Sequence, residues 1–141
     1  MNTNIPNIHK RQAALSSISD KSVRGIVGRY LECSAHDLPQ FASGSFDFVY
    51  AVDSFPYLFH SGMPLVEKHF EEVACVLKPG GDFLILEFSY RSDLESDRFD
   101  VARLASKGFD VLKVGTQPFN LWDGAAFHLR AWTSSNPKCA R

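Results

Sequence analysis

Asp53, Ser54 and Tyr57 are the residues best placed to do chemistry, because they follow an apolar run over Phe46–Val52. That run is apolar at nearly every position, which is typical of a parallel strand covered by helices on both sides. In open α/β sheets, ligands bind beyond the carboxyl ends of the strands. The segment from Asp53 to Tyr57 is therefore the best local candidate for contacting a cofactor or a substrate.

The same segment has a purely structural interpretation. Asp53 and Ser54 could cap a following turn while Phe55 and Tyr57 pack against the core. Tyr57 and His60 could exchange a proton with a substrate, but the sequence assigns no general base. Glu87 ends another apolar run and either faces the same cleft, meets solvent or caps the next turn.

Neither the histidines nor the cysteines have a spacing that predicts a metal or redox centre. The three cysteines are far apart and form no Cys-x-x-Cys pair. Because of this spacing we expect no metal site, and the cysteine usage favours a reducing cytoplasm. The residues concerned are His36, His60, His69, His128, Cys33, Cys75 and Cys139.

Composition indicates one globular domain and excludes several classes of partner. The chain has 141 residues, of which 45% are hydrophobic and 22% are charged, and its net charge is −1. No concentrated basic patch predicts nucleic-acid binding. No apolar stretch approaches the roughly 20 residues that cross a bilayer, and the polar N-terminus has no apolar signal core. We expect a cytoplasmic protein with no membrane partner.

Apolar spacing predicts alternating helices and strands. Residues 1–28 are expected to form a helical segment, followed by a short strand over Arg29–Ser34. A helix begins near Gly62-Met63-Pro64 and ends at Lys78-Pro79-Gly80-Gly81, since proline cannot continue a helix and glycine permits a tight turn. The next strand covers Asp82 to Phe88.

Residues after this strand predict one more helix and two strands. Ser92-Asp93-Leu94-Glu95 has the form of a capping box, so a helix should follow and end at Gly108. Phe109–Gly115 and Ala125–Trp132 are joined without a helix, which favours an antiparallel pair at the sheet edge. The expected core is Val49, Val52, Val73, Leu77, Leu84 and Leu86.

Three motifs carry a family resemblance: Asp37-Leu38-Pro39, Ser45-Phe46-Asp47-Phe48-Val49 and Val76-Leu77-Lys78-Pro79-Gly80-Gly81. In this order and spacing they resemble the later part of a class I S-adenosylmethionine-dependent methyltransferase of the small-molecule group. The resemblance implies an α/β fold with a truncated Rossmann-like sheet, mostly parallel, that ends in an antiparallel hairpin. The methyltransferase-like domain is expected over residues 29–133, with a tail over 134–141.

The resemblance also implies the sites. S-adenosylmethionine would be bound by Ser34, Ala35, Asp53 and Ser54, and a small-molecule methyl acceptor would contact Phe55 and Tyr57. Ser34 stands where the family commonly has an aspartate for the adenine amino group, and a neutral hydroxyl accepts that bond more weakly. Nothing before Tyr30 resembles the family's glycine-rich loop or its ribose-binding acid, so we expect weak or absent cofactor binding.

A non-catalytic alternative remains open. In this alternative the chain is a remnant or interaction module that keeps the second half of the fold. In the family, further strands pair beside the one that matches Phe46–Val52. Without them that strand has an open edge, which invites pairing with another chain. Arg29–Ser34 could pair with this edge, residues 6–27 could lie over its exposed face, or a second copy could complete the sheet across a two-fold axis. Of these we expect the homo-oligomer.

Overall fold

The computed structural model describes residues 41–117, 124–134, 136 and 139, which all belong to one compact unit, Ser34–Arg141. The predicted segment 1–28 and the predicted strand Arg29–Ser34 lie outside these residues. No helix in the described part is long and apolar enough to span a membrane. The elements are β1 (Phe46–Val52), α1 (Phe55–Ser61), α2 (Met63–Val76), β2 (Leu77–Leu86), α3 (Leu94–Ala105), β3 (Phe109–Thr116) and β4 (Ala126–Ala131).

The strands form an open mixed sheet in the order β1-β2-β4-β3. β1 pairs with β2 in parallel, while β4 pairs antiparallel with both β2 and β3. Three of the four strands therefore run in the same direction, and β4 is the reversed strand of a C-terminal hairpin. Within the described residues, this arrangement confirms the predicted α/β class and the mixed Rossmann-like sheet with its C-terminal antiparallel hairpin. The hairpin folds back so that β4, not β3, contacts the parallel pair.

The core lies on the face of the sheet that α1, α2 and α3 cover. Register pairs Val49 with Phe83 and Phe83 with Leu129, so these three side chains lie on one face. Phe83 and Leu129 are fully buried there, together with side chains from all three helices. The helical residues of this cluster include Phe55, Val66, Phe70, Val73, Val101 and Leu104.

The predicted core residues are only partly right. Val73 and Leu77 are buried and Val49 packs against the cluster, but Leu84 and Leu86 are half-buried and Val52 is exposed. The helices of the described region cover one face of β1 and β2, whereas the sequence predicted two covered faces. Alternation along β2 then places Phe83 and Ile85 inside.

The prediction that Lys78-Pro79-Gly80-Gly81 separates a helix from a strand is also wrong in detail. α2 ends at Val76, and β2 begins at once with Leu77 and already contains these four residues. They form an irregularity in the ladder, because Phe46 pairs with Leu77 whereas Phe48 pairs with Asp82. Gly81 fits there because a Cβ atom would lie 2.9 Å from the Lys78 carbonyl oxygen and 3.0 Å from that of Asp47.

The start of α3 is shifted by one residue from the predicted capping box. Asp93, not Ser92, is the N-cap, and its carboxylate accepts from the Ser96 amide at 3.1 Å and from the Ser96 hydroxyl at 2.6 Å. Ser92 instead has a left-handed backbone, with φ of 56°. A carboxylate at the N-cap also interacts favourably with the positive end of the helix dipole. The helix ends at Ala105, before the predicted Gly108.

A disulfide joins Cys75 on α2 to Cys139, and 64 positions separate the two residues in the sequence. The Ser43 hydroxyl donates to the Cys139 carbonyl oxygen at 2.9 Å, which adds a second tie to this part of the chain. Cysteine spacing alone did not indicate this pair. The reducing cytoplasm stays a prediction, and a disulfide is a feature that persists mainly in oxidising compartments.

We predict that Cys139→Ser lowers the free energy of unfolding by about 4 kcal/mol, the loop-entropy value for a closed loop of this size. Urea denaturation without reductant measures it, and Cys33→Ser is the control because it leaves the pair intact. Thiol titration of the denatured chain should find two fewer free thiols than after reduction. Three free thiols, with equal stability of both variants, would contradict the disulfide.

Candidate functional site

The candidate site lies at the carboxyl ends of the parallel strands β1 and β2. Val52 pairs with Leu86, so the residues that follow them, Asp53 and Glu87, leave the sheet side by side. The Asp53 amide donates to the Leu86 carbonyl oxygen at 3.0 Å, and the Glu87 amide donates to that of Ala125 at 2.9 Å. Both acidic residues are thus fixed by the backbone at one rim of the sheet.

Asp53 and Glu87 both have left-handed backbones, with φ of 50° and 71°. This conformation is uncommon for residues other than glycine and costs on the order of 1–3 kcal/mol at each position. Such residues cluster at active sites and ligand clamps, where the surrounding structure enforces them. Two of them on adjacent strand ends mark this rim as a functional site candidate.

Helix α1 places Tyr57 at the rim, because the first residue of the helix, Phe55, is anchored in the core. Ser54 is the N-cap of α1, and Phe55 is fully buried with its ring 5.6 Å from Phe70 and 5.9 Å from Phe88. Tyr57 follows on the outer side of this short helix and is 69% exposed. The predicted substrate contacts thus have different surroundings, since Tyr57 is accessible and Phe55 belongs to the core.

Tyr90, which the sequence did not single out, completes the rim. Its ring contacts that of Tyr57 edge to face, with centroids 6.5 Å apart and an interplanar angle of 83°. Desolvation, followed by the negative charge of Asp53, raises the pKa of the Tyr90 hydroxyl above its usual value. The phenol therefore stays protonated and able to donate a hydrogen bond at neutral pH.

Arg91 holds the loop that carries Glu87 and Tyr90. Its guanidinium donates to Asp97 Oδ1 at 2.6 Å and to Asp100 Oδ2 at 2.8 Å, both on α3, and lies 4.7 Å from the ring centroid of Phe59 on α1. Two charge-assisted bonds and a cation–π contact thus tie the loop to two helices.

Asp97 is the buried acid of this network. The Ser89 hydroxyl donates to Asp97 Oδ1 at 2.7 Å, and Arg91 donates to the same oxygen. Burial still raises the pKa of Asp97, against the lowering effect of these two partners. Burial therefore disfavours the charged form more than the partners favour it.

The sequence-predicted site residues divide into three groups. Asp53, Ser54 and Tyr57 lie together at the carboxyl rim, whereas Phe55 lies beneath it in the core. Ser34 and Ala35 lie outside the described residues. The cofactor and substrate assignments of these residues stay predictions. Glu87 was predicted to face the cleft, meet solvent or cap the next turn, and its backbone stands at this rim.

Two cavities lie at the opposite, amino-terminal edge of the parallel strands. One has a volume of about 250 Å³ and is lined by Glu72, Lys107 and Asn136 among others. The other has a volume of about 420 Å³ and is lined by Ser43, Pro79 and Trp132 among others. Both border Cys75 of the disulfide. They are therefore separate from the rim that carries Asp53 and Glu87.

In the part of the chain that the structure describes, no group of three His, Cys, Asp or Glu side chains could hold a metal ion. Asp82, His128 and Arg130 do meet on β2 and β4. Asp82 Oδ1 accepts from Arg130 Nε at 3.0 Å and lies 3.0 Å from His128 Nε2. The hydrogen bond from Arg130 is the main cause that lowers the pKa of Asp82. This is a cross-strand surface cluster away from the rim.

The family is shown by sequence. The profile of a family described as a methyltransferase domain matches residues 6–85, more than half of the 141 residues. The chain therefore belongs to this methyltransferase-domain family, and the predicted resemblance to class I S-adenosylmethionine-dependent methyltransferases is confirmed. Sequence comparison with characterised proteins gives no significant match.

Solved structures share the fold at low sequence identity. A S-adenosylmethionine-dependent methyltransferase from Methanosarcina mazei is 17% identical, with a TM-score of 0.61 over 93% of this chain and 80% of that chain. A protein from Pyrococcus horikoshii is also 17% identical, with a TM-score of 0.58 over 88% of this chain and 66% of that one.

A third similar structure was solved in connection with the conversion of a disulfide bond into a thioacetal group during echinomycin biosynthesis. It is 15% identical, with a TM-score of 0.56 over 86% of this chain and 64% of that chain. This chain thus spans just under two thirds of the last two proteins. At identities this low, the structural similarity shows that these proteins share a fold with this chain.

We predict that Asp97→Asn removes a pH-dependent part of the stability. Because the folded pKa of Asp97 is raised, its bound proton stabilises the fold below the unfolded-state pKa of about 3.9. That contribution is lost as pH rises through the folded pKa. The free energy of unfolding of the wild type, relative to Asp97→Asn, should therefore fall as pH rises from acid to neutral.

Asp93→Asn is the matched control with the opposite sign. Hydrogen bonds from Ser96 lower the pKa of Asp93, so its contribution is present above the unfolded-state pKa and is lost as pH falls through the folded pKa. Urea denaturation at several pH values compares both variants with the wild type. Parallel pH profiles for Asp97→Asn and the wild type would refute the assignment of Asp97.

Proposed function

We propose that this protein is related to enzymes that transfer a methyl group from S-adenosylmethionine to a small molecule, and that this chain alone has weak or no activity. The first half of the proposal is supported by membership of the methyltransferase family. The location of the proposed site is supported by one observation: Asp53 and Glu87, which both have left-handed backbones, lie at the ends of adjacent parallel strands. Ligands of open α/β sheets bind at such ends.

Methyl transfer from a sulfonium depends chiefly on alignment of the acceptor with the methyl group. A rigid rim suits this requirement, because Arg91 ties the loop with Tyr90 to α3 while Phe55 anchors the helix with Tyr57. Tyr57 is the proposed acceptor contact, and Tyr90 joins it. Phe55 contributes by supporting α1 from below.

S-adenosylmethionine is the proposed cofactor, with Ser34, Ala35, Asp53 and Ser54 as its contacts. The backbone at Asp53 is consistent with such a role, since its left-handed φ turns the chain sharply out of the sheet at the strand end. The 141 residues contain no Gly-x-Gly loop after an apolar strand. Close approach of the backbone to the cofactor would therefore be less favourable, which supports weak binding.

We predict that calorimetric titration of the purified chain with S-adenosylmethionine or S-adenosylhomocysteine gives no saturable binding in the micromolar range. Saturable micromolar binding would disprove this. Any binding that is found should weaken in Asp53→Ala and Ser34→Ala, because each removes a proposed polar contact. It should persist in His128→Ala, because His128 contacts Asp82 in the surface cluster of β2 and β4, away from the rim.

A second candidate function, association through the edge of the sheet, is favoured by the exposure of β1. Within the described sheet β1 is a terminal strand that pairs with β2 alone. Its outward side chains are apolar and open to solvent, with Phe48 50%, Tyr50 65% and Val52 50% exposed. The rings of Phe48 and Tyr50 stack with centroids 5.7 Å apart and extend this apolar surface. A second copy of the chain is the proposed occupant, across a two-fold axis.

We predict a concentration-dependent homodimer in sedimentation experiments at micromolar concentration. Tyr50→Lys should shift the equilibrium to monomer, because a charge on an exposed strand opposes edge pairing and desolvation of the apolar face. Phe99→Lys is the control, since Phe99 is as exposed but lies on α3. A well-folded monomer at every concentration would show that the proposed dimer does not form.

A further inference from the structure

The disulfide fastens a peripheral part of the chain to a core helix. Cys75 lies in the last turn of α2 and is buried, whereas Cys139 is half-buried and lies beyond β4 in the sequence. We call the described residues of this part, Ser134, Asn136 and Cys139, the C-terminal strap. The Ser43 hydroxyl donates to the Cys139 carbonyl oxygen, and the Cys139 amide donates to the Asn136 carbonyl oxygen, each at 2.9 Å. The sulfur bond is thus a covalent tie between the strap and α2.

The strap lies between the two cavities at the amino-terminal edge of the parallel strands. Both cavities are lined by Ala74, Cys75, Gly108 and Asn136. Cys139 lines the larger cavity. A Cβ atom at Gly108 would lie 3.2 Å from the Cβ of Ala74 and 3.8 Å from Nδ2 of Asn136, so the strap packs closely at this edge. Displacement of Asn136 and Cys139 would therefore join the two cavities into one groove.

The core and the sheet of the described region are held by contacts other than this tie. The buried cluster between the sheet and the helices is built from other side chains, such as Val73, Phe83 and Leu129. The backbone pairing of the four strands ends at Ala131, before the strap begins. Loss of the sulfur bond releases the closed loop and lowers the stability, but the contacts of the core and the sheet remain.

We propose that the disulfide is a redox switch, in which reduction by a dithiol releases the strap and joins the two cavities. A thiolate of the dithiol attacks Sγ of Cys139, the less buried cysteine, and Cys75 leaves as a thiolate. The second thiol of the reductant then attacks the mixed disulfide and releases the Cys139 thiolate. Two electrons and two protons pass to the protein, and the dithiol becomes a disulfide. An oxidised dithiol reverses the reaction and closes the strap.

The switch is tested by NMR relaxation in the Cys33→Ser chain, which keeps only the two bonded cysteines. Reduction with dithiothreitol should lower the order parameter of the Cys139 amide from about 0.85, typical of rigid backbone, to below about 0.6. The Gly108 amide signal should shift, because Asn136 leaves its surroundings. The amide signals of Phe83 should keep their folded position, and reoxidation should restore the order parameter of Cys139.

Two variants isolate the role of the sulfur bond. Cys139→Ser cannot form it, so position 139 should have a low order parameter with or without dithiothreitol. Ser43→Ala is the matched control, because it removes the hydroxyl that contacts Cys139 but keeps the bond, and it should respond to reduction like the reference chain.

Three results would overturn the proposal. The first is an order parameter of Cys139 that stays rigid after alkylation has verified reduction. The second is loss of the folded signal of Phe83 on reduction, because the bond would then hold the fold and not the strap alone. The third is a disulfide that dithiothreitol reduces only in the denatured chain. Because the reduced chain is measured directly, the test does not depend on the folding of Cys139→Ser.

Discussion

The register of β1 on β2 is the constraint on which the rest of the structure depends. Pairing of Val52 with Leu86 brings the two strand ends flush, so that Asp53 and Glu87 leave the sheet as neighbours. A shift by one residue would separate the acids and turn Phe83 away from the helices, because successive side chains alternate between faces. The same register therefore fixes both the core and the rim. The irregularity at Lys78–Gly81 takes up the extra residues at the other end of the ladder.

The rim loops are held in place by a polar network and by an aromatic cluster. The ring of Phe55 packs among Phe70, Phe83 and Phe88, so the start of α1 is set by nonpolar contacts. The loop after β2 is anchored in the same cluster through Phe88 and is held in addition by Arg91, which donates to two carboxylates of α3. Because that network includes a buried acid with a raised pKa, positioning of the loop is linked to pH.

Local sequence patterns predicted the fold class, the C-terminal hairpin and the candidate strand end at Asp53. They did not predict which face of β2 is covered, because Phe83-Leu84-Ile85-Leu86 is apolar at every position and alternation carries no signal there. Tyr90, Arg91 and Asp97 were missed for a different reason. Their contacts join a loop to two helices, and no local spacing encodes such a meeting. The pairing of Cys75 with Cys139 likewise depends on the topology.

The disulfide and the rim lie at opposite edges of the parallel strands. The ends of β1 and β2 that border the disulfide are their first residues, whereas the acids follow their last residues. Because of this separation, the sequence of the rim loops can change during evolution without affecting the disulfide. Exchange of exposed side chains such as Tyr57 and Tyr90 changes the surface of the rim while Phe88 stays in the core and the covalent tie at the far edge is retained. A fold arranged in this way can vary its rim without rebuilding its core.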